Sequence, residues 1–258
     1  MTDGRARLPP AAMDTRLSSF GPDAQILVVG ASGGLGSAFI RQLAGDARVG
    51  RVYSWSRQPI DPPFGVEARA DVDITEAASV AAAAEALPDR LDLVVTASGV
   101  LHGADFAPEK SWRMLDAKAM AQVYAVNTIG PAIVAKYTLD RLRKDRKAVF
   151  AALSARVGSI SDNRLGGWHA YRASKAALNM VLKNFSIELA RKNKTAVVLG
   201  LHPGTVDSAL SEPFQGNVPE GKLFTPDYSA DRLLSVINAL GPEASGQVYD
   251  WAGERVEA

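Results

Sequence analysis

The chain has 258 residues, room for one large domain or two small ones, and its 47% hydrophobic and 22% charged content is that of an ordinary globular protein. Lys plus Arg total 29 against 28 Asp plus Glu, a balance that argues against a nucleic-acid binder or a charged disordered tail. Cys is absent, which removes disulfides, thiolate nucleophiles and Cys-ligated zinc together and is compatible with a reducing compartment, so the cytoplasm is the expected location.

No apolar stretch approaches the ~20 residues a membrane helix needs, and MTDGRARLPPAAMDTR at the start has basic residues with no apolar run behind them. Neither spanning nor secretion is expected. Residues 1 to 22, rich in Arg, Pro, Ala and Ser with a second Met at 13, read as a mobile extension or an over-long start, which leaves 23 to 258 as one folded domain. Gln25 to Gly30 is a β-type apolar run ending in a Gly cluster, and Leu35 to Leu43 then shows helical apolar spacing. Arg51 to Ser56 and Gly65 to Val72 read as the next strands. Thr75 is placed to N-cap an Ala-rich helix from Glu76 to Leu87, and LDLVVTAS after Pro88 and Asp89 supplies a fourth, buried strand. Trp112 to Lys144 reads as one or two helices, Ala148 to Leu153 as a strand, Tyr171 to Arg191 as a long amphipathic helix and Thr195 to Leu201 as a sixth strand. Asp227 to Leu240 and Gln247 to Trp251 add a last helix and strand. Such alternation, with no repeat and no linker, predicts a single α/β domain: a doubly wound, Rossmann-type parallel sheet with helices on both faces and ligands beyond the carboxyl ends of its strands.

The first turn is Gly30-Ala31-Ser32-Gly33-Gly34-Leu35-Gly36. Here Gly30 permits a tight exit, Gly34 lets a phosphate approach the backbone, and Gly36 allows close helix packing at a helix N-terminus that favours an anion. At the end of the second strand an acid would suit a ribose 2′-hydroxyl and an Arg a 2′-phosphate. The sequence has Ser54-Trp55-Ser56-Arg57, with no carboxylate, so NADP is expected over NAD, and NAD stays the alternative. A merely solvated Arg57 would look the same.

Tyr171 and Lys175 stand four apart at the start of the long helix, hence on one face about a turn from each other. An isolated Tyr is a poor acid or base at neutral pH, with a pKa near ~10, but a neighbouring ammonium favours the phenolate and brings the group towards the working range. Alone, the pair is as well explained by chance on a helix surface. Its company changes that. The ordered set from Gln25 to near the C-terminus resembles the short-chain dehydrogenase/reductase family, closest to the branch of the C-factor signalling proteins and small carbonyl reductases. Gly30, Gly34 and Gly36 match its GxxxGxG, Tyr171 and Lys175 its YxxxK, and His202-Pro203-Gly204-Thr205-Val206 its Pro-Gly loop beside the nicotinamide.

That resemblance implies a cofactor held by Gly30, Ser32, Gly34, Leu35, Gly36 and Arg57, by the acidic dipeptide Asp71-Val72 at adenine, by Ala97, Ser98 and Gly99, and by Pro203, Gly204 and Val206 with Tyr171 and Lys175. It implies hydride transfer to a small carbonyl compound, or the reverse from an alcohol, with Tyr171 as acid, Lys175 holding ribose hydroxyls and lowering the Tyr pKa, and Asn127 supporting a water relay. Homodimers or homotetramers are implied too, and the helical stripe Ala176, Ala177, Met180, Val181 and Asn184 is explained first as packing. Two departures stand out. The Asn pair expected after the fourth strand is Thr96-Ala97, and the catalytic Ser position holds Ala155. Ser154, one residue early, can replace it only if the strand bends, because a one-residue shift reverses the face; Ser159 is a weaker substitute. These losses keep a rival open, a non-catalytic NADP-binding regulator of C-factor type. His102, His169 and His202 show no ligand spacing, so no metal is expected. Trp168, His169 and Trp112 suit a pocket wall or plain packing, and Leu210 to Leu223 suits a substrate lid.

Overall fold

The computed structural model describes residues 16–257. Ten strands are present among them: β1 (Ala24–Val29), β2 (Val49–Trp55), β3 (Val66–Arg69), β4 (Leu93–Thr96), β5 (Ala148–Leu153), β6 (Ala196–His202), β7 (Thr205–Val206), β8 (Leu223–Phe224), β9 (Gln247–Asp250) and β10 (Arg255–Val256). Eight form one sheet in the order β10-β9-β6-β5-β4-β1-β2-β3, parallel throughout except at β9–β10. The helices are α1 (Gly34–Ala44), α2 (Ala77–Ala84), α3 (Ala117–Tyr124), α4 (Gly130–Thr138), α5 (His169–Ala190) and α6 (Pro226–Ala239).

Strands buried on both faces need apolar residues at every position, and β5, AVFAAL, is buried throughout. Its odd residues Val149, Ala151 and Leu153 pack towards α1 and α6, where Phe39 and Leu233 lie; its even residues Ala148, Phe150 and Ala152 pack with Val134 of α4 and Leu178 of α5. This alternation decides below where Ser154 points. The chain leaves β1 for β2 on one side, while β4 flanks β1 on the other, so the order reverses there and opens a crevice at the strand ends.

Two expectations need correction, and one element was not read. The stretch set aside as an extension ends earlier than residue 22: Leu17 and Phe20 are buried in the core, Ser19 N–H donates to Asn238 Oδ1 at 2.8 Å, and Arg16 pairs with Asp231. Residues 1–15 lie outside the described residues. Thr75 does not cap α2, because its hydroxyl and N–H both donate to the Asp73 carboxylate, at 2.7 and 2.9 Å. The parallel pair β7–β8, too short to read in the sequence, clamps the two ends of the segment expected to be a lid.

Candidate active site

Two clefts open at the switch point and share Gly33, Ala97, Ser98 and Gly99. The smaller, of about 170 Å³, lies over the ends of β1 and β2 and is lined by Gly30, Ser32, Arg57 and the stretch Val72 to Thr75. The larger, of about 450 Å³, is lined by Gly34, Leu35, Tyr171, Lys175 and the loop Pro203 to Val206, together with Leu210, Ser211, Phe214 and Val218 of the segment expected to be a lid. Gly36 lines neither. A Cβ there would sit 2.1 Å from Gly30 O, so only glycine lets α1 start this close to β1. At the junction of the clefts the Ser98 hydroxyl is buried and has no hydrogen-bond partner among the described residues. An orphaned hydroxyl where two clefts meet is suited to a ligand that runs through both.

The start of α5 is tied to a π-helical turn (Ala125–Ile129) between α3 and α4. Asn127, fully buried, accepts from Val100 N–H and donates to Val100 O, both at 2.8 Å, and donates to Ser174 Oγ at 3.1 Å, while Thr128 donates to Ser174 O. Its side chain thereby locks the loop after β4 to α5. Lys175 Nζ, 2% exposed, donates to Leu153 O at 2.7 Å and lies 5.7 Å from the centre of the Tyr171 ring. Sequence spacing thus brings Tyr171 and Lys175 to one cavity wall, as expected.

A family model described as short chain dehydrogenase matches residues 24–218. The chain belongs to the short-chain dehydrogenase/reductase family. The 1-hydroxy-2-glutathionyl-2-methyl-3-butene dehydrogenase of Rhodococcus sp. (strain AD45) is 33% identical over 226 residues, covering 86% of this chain and 94% of that one. C-signal of Myxococcus xanthus is 36% identical over 142 residues, covering 55% of this chain and 80% of that protein. The NADPH-bound carbonyl reductase from chicken fatty liver shares the fold, with a TM-score of 0.79 at 24% identity, over 93% of this chain and all of that one. This short-chain dehydrogenase/reductase is accordingly an oxidoreductase, of a family that uses nicotinamide dinucleotides.

The dehydrogenase site differs from the sequence expectation at two places, the Ser154 hydroxyl and the acidic residue at the smaller cleft. Ser154 continues the even-numbered row of β5 and lines the larger cleft beside Ala155, but its hydroxyl is committed to α5, donating to Asn179 Oδ1 at 2.6 Å. Ala155 keeps extended backbone (φ −154°, ψ 146°) and lines the cavity, so the usual position for a polarising hydroxyl carries a methyl group. At the other cleft, Asp71 is exposed with φ 60° and does not line it, whereas Asp73 does. Asp73, missed in the sequence, was legible as Asp-Ile-Thr-Glu directly before an Ala-rich helix, a carboxylate set to receive the following Thr N–H. Of the aromatic residues weighed as walls, Trp168 lines the cavity, whereas Trp112 is 62% exposed under the Arg113 guanidinium.

Burial pushes the Tyr171 phenol up to about 12 and the Lys175 ammonium down to about 8. In the free protein burial therefore raises the phenol, where the resemblance implied a lowering by Lys175. The phenol stays protonated at neutral pH, the form that donates. Since kcat/KM for the dinucleotide follows the ionisations of the free protein that binds it, its falling limb is expected near pH 8, where Lys175 loses its charge. Lys147 is also lowered to about 8 by burial but sits far off, bonded to Ser19 and the Ile237 carbonyl. A pH profile of Lys147→Met that keeps this limb assigns it to the active site; one that loses it does not.

Proposed function

We propose that this protein reduces the carbonyl group of a small ketone or aldehyde with NADPH, or runs the reverse oxidation of the alcohol. The observation carrying this is the pair of joined clefts, with Tyr171 and Lys175 on the wall of the larger and Arg57 at the mouth of the smaller. Gly30 to Gly36 at the N-terminus of α1 suit a pyrophosphate, the Ser98 hydroxyl offers a partner at the junction, Asp73 and Val72 flank the adenine end, and exposed Arg57 would pair with a 2′-phosphate. When bound, the reduced nicotinamide supplies the hydride for the carbonyl carbon. Lys175, which donates to Leu153 O in the free protein, would hold the ribose hydroxyls, and Tyr171 would give its proton to the carbonyl oxygen. Asn127 acts as a positioning residue that fixes the start of α5.

The proposal includes a cytoplasmic location and a homodimer or homotetramer joined through the outer face of α5, where Met180 and Ile187 are exposed. Among the described residues no helix is long and apolar enough to cross a membrane. A non-catalytic dinucleotide sensor draws on Ala155 and on the likeness to C-signal; capture of a partner that depends on bound NADP, by a protein inert towards carbonyls, would favour it. The test of cofactor choice is a parallel titration with NADPH and NADH. Arg57→Ala is expected to weaken NADPH about tenfold, the worth of one charge-assisted contact, and to leave NADH unchanged; equal losses for both would contradict the assignment.

A further inference from the structure

Three residues in succession before α5 have left-handed backbone: Gly166 (φ 62°), Gly167 (φ 65°) and Trp168 (φ 49°). Glycine enters this region freely, but a bulky side chain does so only against steric resistance, and such residues persist where their surroundings hold them. Glu109, 5% exposed, does the holding. Its backbone carbonyl accepts from Trp168 N–H, and its carboxylate accepts from Ala170 N–H at 3.2 and 3.4 Å, so one residue grips both sides of the turn.

The outcome is an indole set into the substrate end of the larger cleft. The Trp168 ring meets Tyr171 edge to face, with centroids 6.3 Å apart, and meets Phe214 of the lid at 5.1 Å and 60°. Phe214 in turn meets His102 at 5.8 Å, and His102 Nε2 lies 3.1 Å from Ala209 O in the stem of the lid. The wall of rings therefore runs from the proton donor out to the lid. The lining also includes aliphatic residues such as Leu101, Leu210 and Val218, and among the described residues that line the cavity Lys175 is the one lysine or arginine, with no Asp or Glu beside it.

We propose that Trp168, fixed in its left-handed conformation by Glu109, is the specificity-determining wall of this cavity, and that it selects neutral carbonyl compounds bearing a planar aryl group. The inference rests on the reduction proposed above. An aryl ring packed against Trp168 and Phe214 gains edge and face contacts that a puckered ring of equal size does not. An anionic substrate would find no cation except Lys175, which the cofactor would engage.

The test compares acetophenone, cyclohexyl methyl ketone and phenylglyoxylate as substrates. It also measures, by calorimetry, the binding of 1-phenylethanol and 1-cyclohexylethanol to the NADPH complex, where no reaction is possible. The wild type is expected to favour the phenyl over the cyclohexyl compound about three- to tenfold in both readouts, and to favour acetophenone over phenylglyoxylate. Trp168→Ala should bring the phenyl-to-cyclohexyl ratios close to one, Trp168→Phe should keep most of the preference, and Glu109→Ala should erode it with the indole still present. NADPH titration and circular dichroism of each variant show that it is folded. Turnover with no aryl preference, an unchanged ratio in Trp168→Ala, or preference for phenylglyoxylate overturns the selectivity and leaves the reductase intact. Aryl preference in binding with no turnover of any ketone overturns the reductase instead, and loss of both readouts overturns both.

Discussion

Replacing Tyr171 by Phe is expected to cut carbonyl reduction by about a hundredfold to ten-thousandfold, the usual worth of a placed acid, with NADPH affinity and stability retained. Only one oxygen is removed. The Phe ring keeps its contact with Trp168 and its place beside Lys175, so a loss of rate reports the hydroxyl and not the packing. The direction of catalysis follows from the same group: a phenol held at about 12 by burial is an acid at neutral pH and a poor base. Reduction is therefore expected to outrun alcohol oxidation near neutrality, and oxidation to gain as pH rises. A Tyr171→Phe protein that keeps most of its rate would place the proton donor elsewhere.

The second large effect expected is a gain. Ala155 lines the cavity with extended backbone at the end of β5, and a hydroxyl there would give the developing oxyanion a second donor beside Tyr171. Removing one such donor from an enzyme costs about a hundredfold to a thousandfold in kcat; adding one to a site not arranged around it recovers less, so Ala155→Ser is expected to raise kcat about tenfold. Ser154→Ala is the matching control. It breaks the bond to Asn179, which costs about 1 kcal/mol of stability seen as a lower denaturant midpoint, and it should leave kcat nearly unchanged because the hydroxyl, though its residue lines the cleft, is spent on Asn179. A collapse of kcat in Ser154→Ala, with no gain in Ala155→Ser, would show that the end of β5 turns in the working complex.

Legibility in the sequence followed the range of the forces involved. The order of strands and helices is written in local apolar periodicity, and β5 was found at its full bounds because every residue is buried and β-compatible. Tyr171 and Lys175 were legible because helical geometry alone puts positions four apart on one face. Leu17 and Phe20 escaped because their burial depends on long-range partners: Asn238 beside them is more than two hundred residues away, and nothing near Leu17 in the sequence announces a core. Asp71 was preferred to Asp73 for want of the Asx-type turn that orients a carboxylate, a side-chain geometry that pattern alone does not weigh. Glu109 and Trp168 were hidden for a stronger reason. The left-handed turn between them is held by contacts across sixty residues, and Gly166-Gly167 signals freedom of the backbone without saying which conformation it takes.

As proposed, this protein moves hydride between NADPH and a carbonyl carbon, with its own residues supplying the proton. The most direct measurement is a single turnover with NADPH carrying deuterium at the transferring position, in the presence of acetophenone, with the product read by mass spectrometry. Deuterium on the carbinol carbon in the wild type, absent from Tyr171→Phe on the same timescale, is the expected result. Tight NADPH binding with no deuterium transferred to any ketone or aldehyde would contradict it and favour a protein that senses the dinucleotide without using it.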